Sequence, residues 1–257
     1  MNGFYAGLRL GAVMVTTMVG VAGMTCLGTN GASAQNTPDY AALMAAPDRS
    51  DVDRQADKRR DPVPFLAFAG LRPGMKVLDM GAGGGYSTEL VARVIGPSGM
   101  VYGQNPPDNF ERARTAFATR AATPAMKNSA ALVRPYDDPV PPDVHDLDMI
   151  TYLFFYHDTT YLEVDRARMN LKLFAALKPG GVLVIADHSA KAGSDISVGK
   201  TLHRIDESVL RQEVEAAGFK LVAEGNFWRS PEDTRDYSTQ RPPGPVDNFV
   251  LKFEKPR

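Results

Sequence analysis

Between residues 76 and 95 the chain runs from a short apolar strand pattern, Lys76-Val77-Leu78-Asp79-Met80, through Gly81-Ala82-Gly83-Gly84-Gly85 into a helical pattern from Tyr86 to Ile95. Glycines at 81, 83, 84 and 85 permit positive φ and let another molecule approach the backbone closely. The first N–H groups of a helix have no acceptor within it, so they point outward as donors. A strand, a glycine loop and a helix in this order belong to open α/β sheets, which bind ligands at the carboxyl ends of their strands.

The rest of the chain keeps the alternation. Met100 to Gly103, Ala130 to Val133 and Leu147 to Phe155 read as strands, with a helix over Phe110 to Arg120 and another from about Tyr161 to Leu177. Lys178-Pro179-Gly180-Gly181 reads as a turn into Val182 to Ala186, which is apolar throughout and therefore expected to be buried on both faces. Asp206 is placed to cap a last helix, with Ile205 and Leu210 as a hydrophobic staple and Gly218 as its stop. Phe219 to Glu224 and Asn248 to Phe253 follow with no helical pattern between them, so they are expected to pair antiparallel. The predicted fold is a Rossmann-like, doubly wound α/β sheet of seven strands, mostly parallel with an antiparallel final strand.

The N-terminus has a different character. Residues 1–34 carry Arg9 as their only charge, an apolar run from Leu10 to Leu27, and Ala32-Ser33-Ala34 before Gln35. This is the pattern of a secretory signal peptide cleaved after Ala34, and it predicts export to the periplasm. An uncleaved leader anchoring the chain in the inner membrane is the alternative. Residues 35–64 are expected to form a mobile N-terminal arm followed by a charged helix from Asp51 to Arg60, and residues 65–257 the globular domain. Cys26 is the one cysteine, which excludes a disulfide framework and a cysteine-based zinc site. The net charge of -1 shows no basic stripe for nucleic acid, and a membrane is expected as a partner only through an uncleaved leader.

The glycine loop departs from the dinucleotide fingerprint Gly-x-Gly-x-x-Gly. Counting from Gly81, Tyr86 stands where the third glycine belongs; counting from Gly83, Thr88 does. Asp79, two residues before the first glycine, completes a pattern that resembles motif I (Asp-x-Gly-x-Gly-x-Gly) of the class I S-adenosylmethionine-dependent methyltransferases. Leu177-Lys178-Pro179-Gly180-Gly181 resembles the turn before strand five of the same family, and the closing strand pair matches its architecture. The resemblance covers roughly Phe65 to the C-terminus.

It implies S-adenosylmethionine as cofactor, with Asp79, Gly81, Gly83 and Gly85 around its methionine part. Asn105 takes the position of the acid that usually bonds both ribose hydroxyls, although an amide oxygen and nitrogen cannot accept two bonds as a carboxylate does. Asp137 falls where the family often has an acid contacting the adenine amino group; a solvated turn before Pro139 is the alternative. The reaction implied is methyl transfer to an undetermined small molecule.

Strand four ends in Phe154-Phe155-Tyr156-His157-Asp158 and strand five in Asp187-His188, so His157, Asp187 and His188 are the catalytic candidates, each weighed against a structural role. A histidine there has the ordinary pKa of a general base. His188, His203, Asp187 and Asp206 follow no known ligand spacing, and no metal is expected. The long segment from Gly225 to Asp247, with Trp228, Arg229, Arg235, Tyr237 and Arg241, is either a flap over the substrate pocket or a proline-stiffened surface excursion. Because S-adenosylmethionine is made in the cytoplasm, an exported chain with Asn105 in place of the acid also suggests a second reading: a non-catalytic ligand-binding protein on the same fold.

Overall fold

The computed structural model describes Met1, Gly7 and residues 38–257. The leader expected over residues 1–34 otherwise lies outside the described residues, among which no helix is long and apolar enough to cross a membrane.

Among the described residues, seven strands form one sheet in the order β3-β2-β1-β4-β5-β7-β6. Its strands are β1 (Lys76–Met80), β2 (Met100–Asn105), β3 (Ser129–Val133), β4 (Leu147–Leu153), β5 (Leu177–His188), β6 (Lys220–Gly225) and β7 (Asn248–Glu254). The β2, β3, β4 and β5 pairings are parallel, while β7 runs antiparallel to both β5 and β6. The predicted architecture is therefore the observed one, and the strand order reverses between β1 and β4, the switch point at which ligands bind in such sheets.

Strand alternation divides the core into two layers. Leu78, Met80, Ile150, Tyr152, Leu183 and Ile185 face α6 (Arg166–Ala176) and α8 (Glu207–Ala216). Val77, Val101, Met149, Val184 and Ala186 face α3 (Pro62–Ala69), α4 (Tyr86–Ile95) and α5 (Glu111–Ala121). Each fully buried aliphatic side chain contributes about 1.5–3 kcal/mol relative to exposure, so the two layers dominate the stability.

Residues 38–64 pack on this domain. Helix α1 (Tyr40–Met44) is capped by Asp39, and Tyr40 is buried with its hydroxyl donating to the Leu71 carbonyl. The expected charged helix is α2 (Asp51–Arg60), capped by Ser50, and the apolar patch after it is helical as α3. Among the described residues there follow a short α7 (Val198–Leu202) and α8, which is capped by Asp206.

Three local expectations are corrected. Lys178 to Gly181 is no turn but the bulged start of β5: Leu177 pairs with Leu147, the register then shifts, and Gly180 takes φ 76°. The helix expected from Tyr161 begins only at Arg166, because Asp165 caps it by accepting from the Arg168 N–H, and residues 157–160 form a separate 3-10 turn. Strand β4 stops at Leu153 rather than Phe155, since Phe154 adopts φ 57° and donates its N–H to the Ala186 carbonyl. A left-handed conformation at a bulky residue costs roughly 1–2 kcal/mol. It turns the chain sharply at the edge of the cleft.

Candidate active site

Asp79, near the end of β1, is 1% exposed and accepts three hydroxyl bonds. Ser87 and Thr88 donate to Oδ2 at 2.8 and 2.7 Å, and Thr151 donates to Oδ1 at 2.9 Å. Burial pushes its pKa up, and the three hydroxyls act in the opposite direction. The carboxylate thus joins the first turn of α4 to β4, so that any influence it has on a ligand passes through those hydroxyls and the loop they hold.

Gly81, Gly83 and Gly85 sit at φ 63°, 54° and 83°, the region glycine enters without steric penalty. A Cβ at Gly85 would lie 3.0 Å from the Phe117 ring, whereas at Gly83 it would meet nothing within 4 Å. The loop is therefore packed on its inner side and open at Gly83.

Two amides at the end of β2 hold the loop. Gly81 N–H donates to Gln104 Oε1 at 3.1 Å, while Gln104 Nε2 donates to the Arg134 carbonyl at 2.7 Å. Asn105 Oδ1 accepts from Gly83 N–H at 2.8 Å and from Asn109 Nδ2 at 2.9 Å, and its Nδ2 donates to the Gly83 carbonyl at 3.1 Å. With that oxygen meeting two protein donors, the second hydrogen on Nδ2 is the group left to meet a ribose hydroxyl. Asp137, on the turn after β3, pairs with Arg168 at 3.5 Å.

Helix α2 closes one side. Arg120 of α5 bonds both carboxylate oxygens of Asp53, reaches Glu89, and donates to the Gly84 carbonyl at 3.1 Å. Tyr86 donates to Asp57 at 2.6 Å, and burial followed by the Asp57 carboxylate pushes its phenol pKa well up. The charge-dense helix is therefore bound to the glycine loop and to the start of α4.

The acceptor side lies beyond β4 and β5. Phe154 stacks on His188 with centroids 4.9 Å apart, and Trp228 stacks on Phe65 at 5.5 Å and packs against Phe154. Phe65, Phe154 and Trp228, with Arg60, Tyr86, Leu90 and Thr151, line a cavity of about 30 Å³, and His188 stacks on Phe154 outside that lining. Trp228 also donates from its indole to the Asp61 carbonyl at 3.2 Å, so the long loop after β6 covers this cavity. That loop is anchored at its far end by Arg204 and Asp233, both fully or nearly fully buried and 2.8 Å apart.

The three catalytic candidates come together with distinct environments. Asp187 is fully buried and binds His157 Nδ1 at 2.6 Å, the His157 N–H at 2.8 Å and the His188 N–H at 2.8 Å. Burial opposes protonation of His157, but the Asp187 charge and the bonds to Asp158 and Asp187 outweigh it and raise its pKa to about 10. His188 behaves oppositely: burial lowers its pKa. Asn248 donates from Nδ2 to the Val246 carbonyl, which turns its Oδ1 toward His188 Nδ1 at 2.6 Å. That bond assigns the proton to Nδ1 and leaves Nε2 with a lone pair.

Gln104, Arg120, Thr151, Asp158 and His203 also belong to this region, and the sequence reading assigned none of them a role here. Gln104 and Thr151 follow from strand position once the register is known; Arg120 and His203 follow only from tertiary contacts.

The comparisons agree with this geometry. The protein-L-isoaspartate(D-aspartate) O-methyltransferase family matches residues 63–121, which hold the glycine loop and β2. The ubiquinone/menaquinone biosynthesis C-methyltransferase UbiE of Shewanella pealeana is 32% identical over 180 residues; the match spans 66% of this chain and 66%, just under two thirds, of that enzyme. A methyltransferase structure from Aquifex aeolicus superposes with a TM-score of 0.58 at 19% identity, covering 85% of this chain and 99% of that one. The [4+2]-cyclase SpnF superposes with a TM-score of 0.58 at 17% identity over 81% of this chain and 83% of its own. The fold and the loop define a methyltransferase-type α/β domain. The chain belongs to the class I S-adenosylmethionine-dependent methyltransferase family, whose methyl donor is S-adenosylmethionine.

Proposed function

We propose that the protein transfers a methyl group from S-adenosylmethionine to a small-molecule acceptor held beside Phe154 and Trp228. The observation that carries this reading is the glycine loop at the β1–β4 switch point, closed on its inner side and open at Gly83. The residues fit the cofactor: positive-φ glycines, the outward N–H groups of the first turn of α4, and one free donor on Asn105 for the ribose. When bound, the cofactor supplies a methyl group already activated by its sulfonium, so the protein's task is alignment in a dry pocket.

Phe65, Phe154 and Trp228 favour a flat apolar acceptor. His188, with Nε2 carrying the lone pair, is the base for an acceptor that loses a proton, and Asp187 positions it through its backbone N–H. Asp79, Gly81, Gly83, Gly85 and Asn105 hold the loop and the cofactor, with Asp137 at the adenine end. Calorimetry with S-adenosylhomocysteine tests the binding, and transfer of labelled methyl to a small-molecule extract tests the reaction. An absence of binding to the purified chain overturns the proposal.

A second reading has an observation in its favour. Gln104 and Asn105 occupy the Gly81 and Gly83 N–H groups, as would suit a loop that binds another ligand without transferring methyl. The [4+2]-cyclase on the same fold illustrates how little fold alone fixes chemistry. Methyl turnover eliminates this reading. We also propose export through the leader at residues 1–34; a full-length chain found only in the cytosol with the leader intact refutes it.

A further inference from the structure

Beside the cleft, three side chains converge on one point. His157 Nε2 and His203 Nδ1 lie 3.3 and 3.2 Å from the same atom, Asp158 Oδ1, and one ligand atom from each of the three residues falls within 4.8 Å of the others. We propose that His157, Asp158 and His203 bind a divalent first-row transition-metal ion of the zinc or iron(II) type.

The distances fit a metal site as well as they fit a hydrogen-bonded cluster. Charge-assisted N–H···O bonds settle at about 2.7–2.9 Å, as the 2.6–2.8 Å contacts of Asp187 do in the same place. The two contacts to Asp158 are longer. Ligands about 2.0–2.1 Å from a tetrahedral ion stand about 3.3 Å apart. The two distances to Asp158 Oδ1 lie at the long end of hydrogen bonding and match the spacing of neighbouring ligands around an ion.

The supporting shell has the form metal sites use. A ligating histidine almost always donates its other ring N–H to a carboxylate or carbonyl, which fixes the tautomer and the ring plane. Asp187 does this for His157 Nδ1 at 2.6 Å while being fixed in turn by two backbone N–H groups. Tyr161 donates to Asp158 Oδ1. His203 sits at φ 53°, an uncommon conformation for a non-glycine residue, and this backbone turn sends its ring toward Asp158. His157 is buried, whereas the side chains of Asp158 and His203 are 14% and 18% exposed, which gives the ion an entry path. Two imidazoles and one carboxylate suit zinc, iron(II) and their neighbours better than magnesium or calcium. Three protein ligands leave positions for water or for an oxygen of a small acceptor.

This site is independent of the methyl-transfer reading, because metal binding is measured without cofactor or acceptor. The full chain, stripped with a chelator, is titrated with zinc by calorimetry and with cobalt(II) by visible absorption. The expected result is one equivalent per chain and the d–d bands of a low-coordinate nitrogen–oxygen site. His203→Ala should lower zinc affinity at least a hundredfold, and Asp187→Asn, which removes the carboxylate behind His157, by about 10–100-fold. His145→Ala, an exposed histidine paired with Asp146, should leave it unchanged. Circular dichroism verifies the fold of each variant, and if Asp187→Asn does not fold, the more exposed His203→Ala decides alone. No binding by the wild-type chain, or binding that His203→Ala does not weaken, overturns the proposal.

Discussion

Asn105 grips Gly83 at both ends of one residue: its Oδ1 accepts from the Gly83 N–H at 2.8 Å and its Nδ2 donates to the Gly83 carbonyl at 3.1 Å. A carboxylate could make the first bond but not the second. The amide is therefore suited to fixing the loop, which gives a physical reason for it in a position where the family usually has an acid. In Asn105→Ala both Gly83 groups lose their partner, at a cost of about 1–3 kcal/mol if they stay unpaired. Carried into binding, that is about a 5- to 150-fold loss of S-adenosylhomocysteine affinity by calorimetry. Asn105→Asp should weaken the loop too, since its second oxygen would face the Gly83 carbonyl. Unchanged affinity and melting temperature in both variants would show that the clamp is idle.

Arg120 joins α2, α4 and the loop through Asp53, Glu89 and Gly84. Asp53 is almost fully buried and would be left without its cation in Arg120→Ala, while Glu89 keeps Arg93. Removing one partner of a buried pair costs about 3–5 kcal/mol; Arg120 is partly exposed, so about 1–3 kcal/mol is expected after solvent screening. The change should appear first as faster proteolysis of residues 45–61, ahead of any effect on the sheet. Equal cleavage of variant and wild type would remove α2 from its role as a cover.

His157 gives a pH dependence with a definite sign. In metal-free protein its pKa is raised to about 10 against an ordinary value of 6.5. A raised folded-state pKa means that the proton binds the folded chain more tightly. Its stabilising effect is complete below pH 6.5 and is lost as pH rises through about 10. Unfolding by urea should therefore show declining stability over that interval, reduced in His157→Gln. An imidazole resonance titrating near its ordinary value would contradict the buried placement between Asp158 and Asp187.

The sheet was readable because its signals are local. Strand β1 and helix α4 have the predicted bounds, and the missing helix between β6 and β7 announces their antiparallel pairing. The site was less readable because its decisive contacts are distant in sequence. Asp158 and His203 are 45 residues apart, and they meet where His203 adopts a left-handed backbone conformation. Spacing also cannot say which way a side chain turns: Asn105 points into the loop, and Asp79 is enclosed by hydroxyls from Ser87, Thr88 and Thr151. The Lys178 to Gly181 turn failed for the opposite reason. Proline and glycines signal a turn, but β4 holds the segment in register on both sides of a bulge.

Loop 226–247 contains Trp228, the single tryptophan of the chain, which makes its position directly measurable. Arg204 anchors the loop by bonding Asp233, the Tyr237 carbonyl and the Ser189 carbonyl, with the Tyr237 ring 5.0 Å from its guanidinium carbon. Asp233 also accepts the Asp247 N–H at 2.7 Å and the Arg235 N–H at 2.8 Å. Asp233→Ala leaves the fully buried Arg204 without its carboxylate, a change that typically costs about 3–5 kcal/mol. The loop should loosen before the sheet does, because the Trp228 indole is held by Phe65, Phe154 and the Asp61 carbonyl, while β7 reaches only its backbone carbonyl through the Asn248 N–H. Tryptophan emission in Asp233→Ala should shift to the red and become more accessible to acrylamide, at temperatures where circular dichroism still reports a folded sheet. Addition of a true acceptor should reverse the shift, since it would pack against the same indole. Emission identical to that of the wild type would mean that Arg204 and Asp233 stabilise the domain without governing the cover of the cavity.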